Sequence, residues 1–177
     1  MDSSSQASEI KTILGVDPGL NITGYAVISV SSAAPQIVEA GVIRVSNRQP
    51  IEQRIKDVFD GVEETISSFQ PAAMAIEEIF SHYQRPRTAI LMGHARGAIC
   101  LAAARAEIPV FHYAATQVKR MLTGSGRAPK AQMQQAICRE LGLTETPEPP
   151  DVADALAIAL CHHYLGKSGQ TAELHRS

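Results

Sequence analysis

Apolar and polar positions along the chain fall into two periods, one of strands and one of helices. KTILGVDPG, residues 11–19, is a short apolar run that stops at a Pro-Gly turn, the pattern of a buried strand. ITGYAVISV and QIVEAGVIRV follow, rich in β-branched residues and partly alternating, and predict a three-stranded antiparallel meander. From Ile51 to Phe69 the period changes. Ile51, Ile55, Val58, Val62, Ile66 and Phe69 recur at steps of three and four, which predicts an amphipathic helix closed by Pro71. AAMAIEE reads as a fourth strand, apolar until it meets two carboxylates. A helix rich in Ala and Gly is expected from about Thr88 to Ala106, then a fifth strand, IPVFHYAA. A short helix (TQVKRML), a TGSGRAPK loop, a helix (AQMQQAICREL) and a proline-rich connector precede a last helix starting near Asp151. Three strands followed by alternating helices and strands predict an α/β fold, one five-stranded mixed sheet flanked by helices.

The chain has 177 residues, of which 45% are hydrophobic and 19% charged, ordinary values for a globular protein. One domain over 11–166 is expected, with a disordered lead-in at 1–10 and a disordered tail at 167–177. Trp is absent and aromatics are 5%, so aliphatic side chains must build the core. No stretch approaches the roughly 18 apolar residues of a membrane span, and the first residues lack the features of a signal peptide. No membrane association and a cytoplasmic location are the expectation. Cys100, Cys138 and Cys161 lie far apart without disulfide or zinc spacing and read as buried, reduced thiols.

The net charge of −2 conceals a division. Residues 81–130 hold eight Lys/Arg against the single acid Glu107, a net +7 that leaves −9 for the rest. On charge alone this segment fits either a polyanion-binding face or a solvated helix surface. The acids are more telling. Asp17 ends the first strand, Glu77 and Glu78 end the fourth, and Asp151 and Asp154 open the last helix on one face. If the first and fourth strands are neighbours, these groups converge. Close carboxylates repel one another without a cation. Hard oxygen ligands in that number suit Mg²⁺ or Mn²⁺, and two such ions about 4 Å apart support in-line phosphodiester displacement. Taken singly, Asp17 could be a turn residue, and Asp151 an N-cap with Asp154 in the first helical turn. His162 and His163 read as surface or rim residues, and His82, His94 and His112 have no ligand spacing.

ILGVDPGLNITGYAVI, AIEEIF, GHARGAICLAAARAEIPVFHYAATQVKRMLTGSGRAPKAQM and PPDVADALAIALCHH resemble, in order and spacing, the successive blocks of RuvC-type Holliday-junction resolvases over about residues 12–163. The resemblance implies an RNase H-like fold and a homodimer that nicks four-way junction DNA symmetrically with Mg²⁺, two ions per site, and that works beside a branch-migration motor. It puts the family's acidic cluster on Asp17, Glu77, Asp151 and Asp154, and its basic site residues on Lys119 and Lys130. Phe80 takes the place of an aromatic that stacks on an unpaired base. Arg85, Arg87, Arg120 and Arg127 share the basic segment with the two lysines and are expected to touch DNA. The loop SHYQRPR and the extra acid Glu78 depart from the pattern. The residues also leave open a non-cleaving module for branched nucleic acid and a nuclease for RNA:DNA hybrids. An actin-like phosphotransferase would need a second glycine loop and a longer chain.

Overall fold

The computed structural model describes residues 11–31, 34–79 and 86–174, the last eight by backbone only. Five strands form one sheet: β1 (Lys11–Asp17), β2 (Ile22–Val30), β3 (Gln36–Arg44), β4 (Ala73–Glu77) and β5 (Val110–Tyr113). Their spatial order is β3-β2-β1-β4-β5. β1 and β2, and β2 and β3, pair antiparallel, whereas β4 lies parallel to both β1 and β5. The meander and the mixed sheet expected from the sequence are both present.

Helices cover both faces. α1 (Ile51–Phe69) and α2 (Pro86–Arg105) bury Val58, Val62, Ile66, Ala95, Ile99 and Ala102 against Leu14, Val16, Val27, Met74 and Ile76. α3 (Ala115–Thr123), α4 (Lys130–Leu141) and α5 (Pro150–Leu174) cover the opposite face. α5 is apolar nearly all round because it lies between the sheet and α3 with α4; Val152, Ala153 and every residue from Ala155 to Cys161 are buried. This central place corrects the reading of His163 as a rim residue: it is buried, and His162 is half-buried against Phe111, with ring centroids 4.4 Å apart. Of the three thiols, all free, only Cys161 is fully buried.

The element boundaries move for identifiable reasons. α2 and α5 begin earlier than the apolar period suggests, at Pro86 and Pro150, since proline suits the first helical position, where no N–H bond is needed. β5 is shorter than IPVFHYAA, because Pro109 has no N–H to give the ladder and Ala114 already caps α3. α5 runs past Gly166 to Leu174, through a stretch containing no proline.

Two strand glycines set the distance between α5 and the sheet. A Cβ on Gly15 would lie 2.3 Å from the Ala155 carbonyl oxygen, and one on Gly24 would lie 2.1 Å from that of Asp151. Both neighbours are helix backbone, which cannot swing aside as a long side chain does. Gly15→Ala and Gly24→Ala should therefore each lower unfolding free energy by about 1–3 kcal/mol, through overpacking. Gly93→Ala, with nothing within 4 Å of its added carbon, should be neutral or stabilising. Urea midpoints test this. Equal midpoints for all three variants would show that α5 is not fixed by these contacts.

Candidate functional site

β1 and β4 run parallel and pair through Val16 and Ile76, so the next residues, Asp17 and Glu77, end side by side. Strand alternation points both toward the α5 face, along with Ile13, Gly15 and Ala75. Asp17 also pairs with Gly24, the residue that seats Asp151 of α5. Asp151 and Asp154 stand three residues apart on the first turns of the helix, above the same strand ends. The convergence expected of the acids is thus a result of register and of the close seat of α5.

On the far side of these acids lies an open cleft of about 290 Å³, lined by Glu77, Val118, Lys119, Lys130, Met133 and Asp154 among others. Lys119 comes from α3 and Lys130 opens α4, so two helices deliver one cation each to the carboxylates. Among the described residues no three His, Cys, Asp or Glu side chains form a ready-made metal cage. The acids are close enough to interact electrostatically. As hard oxygen donors they suit a divalent cation chemically.

Burial and neighbouring charge act unequally on Asp17, Glu77 and Asp154. Asp17 is pushed up to about 8, first by burial, then by Glu77, Asp154 and Asp151. Glu77 is raised by burial and by Asp154, and Lys119 opposes that rise. Asp154 is exposed by area yet sits within the cleft, where displaced water raises its carboxyl; Lys130 counters this first, Asp151 adds to it, and Lys119 again lowers it. Asp17 is therefore the acid for which the lysines do least.

Of the other sequence-predicted residues, Arg120 and Arg127 are exposed at the α3–α4 turn beside Lys130, with an Arg120 Nη2 3.5 Å from where a Cβ on Gly126 would lie. Arg87 is exposed at the start of α2, on the opposite face of the sheet. Phe80 and Arg85, with most of the SHYQRPR loop, lie outside the described residues. Arg96 was not singled out by sequence reasoning. Its Nε donates to the Glu77 carbonyl at 3.2 Å, and its Nη2 meets Nδ1 of His112, tying the end of β4 to α2 and β5. Its signal was the charged residue inside an Ala/Gly-rich apolar helix. Gly15 and Gly24 had a signal too, since glycine inside a strand marks the close approach of another backbone.

The sequence matches, over residues 13–162, the model of the family described as crossover junction endodeoxyribonuclease RuvC. A protein of that name from Rhodopirellula baltica is 54% identical over 156 residues, 88% of each chain. The solved structure of Thermus thermophilus RuvC in complex with Holliday junction substrate superposes with a TM-score of 0.85 at 35% identity, covering 90% of this chain and 96% of that one. The yeast mitochondrial Holliday junction resolvase Ydc2 shares the fold, with a TM-score of 0.63 at 13% identity and coverage of 88% and 80%.

The raised Asp17 carboxyl yields a prediction for the metal-free protein. Asp17 is neutral when folded and ionises from its ordinary 3.8 when unfolded, so the unfolded chain releases the proton first. Its contribution to stability is complete below pH 3.8 and is lost as pH rises through about 8. In chelator, the thermal midpoint of the wild type should fall between about pH 5 and about pH 8 by more than that of Asp17→Asn. Added Mg²⁺ or Mn²⁺ at the upper pH should restore the wild type and do little for the variant. Parallel pH curves for the two proteins would refute the repulsive cluster.

Proposed function

The chain belongs to the RuvC family of crossover junction endodeoxyribonucleases, and we propose that it resolves four-way DNA junctions by paired, metal-dependent nicks during recombination and repair. One observation carries the reading: Glu77 and Asp154 share a cleft with Lys119 and Lys130, and Asp17 and Asp151 adjoin them at the strand ends. Asp17, Glu77, Asp151 and Asp154 are the donors we assign to Mg²⁺, two ions per site, with Mn²⁺ as a substitute. When bound, the ions supply Lewis acidity to the attacking water and the leaving oxygen.

The remaining work falls to the chain's own side chains. Asp17 and Glu77 are held at strand ends, where Arg96 fixes the Glu77 backbone. Lys119 and Lys130 occupy the other wall of the cleft, where they attract a phosphodiester and offset charge that builds on its oxygens. Arg120 and Arg127 extend that wall, Arg87 meets DNA from the other face of the sheet, and Arg85 is assigned to DNA with it. Phe80, three residues beyond Glu77, stacks on a base unpaired at the crossover, a contact of about 1–3 kcal/mol.

Symmetric cutting requires two sites, which a two-fold homodimer supplies. We assign the interface to α2, where Ile90 and Leu101 are 61% and 55% exposed and open space faces Gly93 and Gly97. A branch-migration motor acting on the same junction in the cytoplasm is the partner we expect. No helix of the described residues is long and apolar enough to cross a membrane.

Asp17→Asn, Glu77→Gln and Asp154→Asn should each cut a four-way junction at least about 100-fold more slowly while still binding it, since each removes a donor and one repulsive charge. Normal cutting by Asp17→Asn would discard the assigned site, and equal cutting of a plain duplex or an RNA:DNA hybrid would discard the assigned substrate. For assembly, Ile90→Glu with Leu101→Glu should convert a dimer to monomer in sedimentation and abolish paired nicking. A wild type that resolves junctions fully as a monomer would remove the interface.

A further inference from the structure

Outside the basic segment 81–130 the chain is acidic in sum, yet its fold gathers three arginines at one corner of the edge that carries Asp17 and Glu77. β3 runs parallel to β1 and ends at that same edge, so Arg44 stands at the exposed end of β3, paired across to Ile22. The next residue, Val45, donates its N–H to the Asn21 carbonyl at 2.9 Å. Arg48 is exposed in the tight turn that follows, its N–H on the Ser46 hydroxyl. Arg54, in the opening turns of α1, donates from Nη2 to the Asn21 side-chain oxygen at 2.5 Å. Arg54 and the residue after Arg44 are thus both tied to Asn21, four residues after Asp17, and Arg48 lies in the turn between β3 and α1. Two strand spacings, about 10 Å, separate β3 from β1.

These charges are left unneutralised. Among the described residues, ion pairs join Lys56 to Asp60, Arg105 to Glu63 and Arg139 to Glu140, and none involves Arg44, Arg48 or Arg54. The acids that follow Arg54 in α1 are engaged elsewhere: Asp57 accepts from Gln53, and Asp60 pairs with Lys56. Arg54 Nε is buried and has no hydrogen-bond partner. The α1 N-terminus at this corner has no side-chain cap, so its free N–H groups add positive potential, against the single first-turn acid Glu52.

We propose that Arg44, Arg48 and Arg54 form a second phosphate-binding surface, which holds the backbone of a junction arm on the β3–α1 side of the cut, apart from Lys119 and Lys130. The surface makes Coulombic and hydrogen-bond contacts with phosphate oxygens and reads no base. It rests on the junction-resolving function above, and it places part of the DNA affinity in the half of the chain with negative net charge.

The test measures binding of an intact four-way junction over a salt series, in chelator, by the full-length wild type, Arg44→Ala/Arg48→Ala, Arg44→Lys/Arg48→Lys and Lys56→Ala. The alanine pair should weaken binding at low salt and reduce the slope of log affinity against log salt by about one unit per lost contact, near two in all. The lysine pair should keep most of the slope, and Lys56→Ala, whose cation is already paired, should match the wild type. Neutral methylphosphonates at single arm positions should weaken the wild type where contact is made and leave the alanine pair unchanged there. A wild-type slope and affinity in the alanine pair, when the wild type binds the junction in chelator and cuts it once Mg²⁺ is added, overturns the second surface and leaves the function standing. A wild type that neither binds nor cuts the junction overturns the function itself.

Discussion

The arrangement depends on one contact, the seating of α5 backbone directly on β1 and β2. Gly15 and Gly24 leave no side chain between helix and sheet, and Ala26, Ala75, Ala155 and Ala159 keep the same interface thin. A helix that close is enclosed on the sheet side and, with α3 and α4 on its other flank, buried almost throughout. Its buried face carries small aliphatic groups, which is why a chain with no Trp and 5% aromatics still closes a core. The seat also fixes where the helix begins. Asp151 backbone rests on Gly24, the register partner of Asp17, so the first turn of α5 can stand nowhere but over the acidic strand ends.

Close seating has an electrostatic cost. It removes water from Asp17 and brings three other carboxylates within range, and both effects raise its carboxyl. Lys119 relieves Glu77 and Asp154, and Lys130 relieves Asp154, but neither figures among the influences on Asp17. The site is thus under-compensated at its deepest member and better compensated at its rim. That gradient favours a multivalent cation over more lysines, because an ion can enter where another long side chain would not pack. Folding stability is given up at the point where a bound divalent ion would recover it.

The five strands, the meander and α1 were legible because each carries a clean period: alternation or a short apolar run for strands, steps of three and four for α1. The acids were legible because each interrupts an apolar element at its end. Legibility fails where the evidence is tertiary. His163 looked polar enough for a rim, but α5 is enclosed along Ala155–Cys161, and His163 just beyond is inside as well. Helix starts were misjudged at Pro86 and Pro150 because the apolar period begins later than the helical backbone does. Gly15 and Gly24 are ambiguous in sequence, since a glycine in a strand signals an approach without naming what approaches.

Charge shows the same limit. Summed along the chain, +7 in residues 81–130 and −9 elsewhere single out that segment as either a polyanion-binding face or a solvated helix surface. The sheet order undoes that division. β1 and β3 end at one edge, β2 begins there, and α1, α2 and α5 start from it, so residues distant in sequence share one surface. Arg44, Arg48 and Arg54 reach that edge from an acidic stretch, and Arg87, Lys119 and Lys130 reach it from the basic one. The acids elsewhere on α1 partly neutralise one another's neighbours: Asp60 takes Lys56, and Glu63 takes Arg105, which also lies over Phe59. A backbone polyanion responds to the local potential within about a Debye length, 8–10 Å at ordinary salt, and not to the net charge of the chain. A protein of net charge −2 can therefore present a cationic rim around an anionic centre.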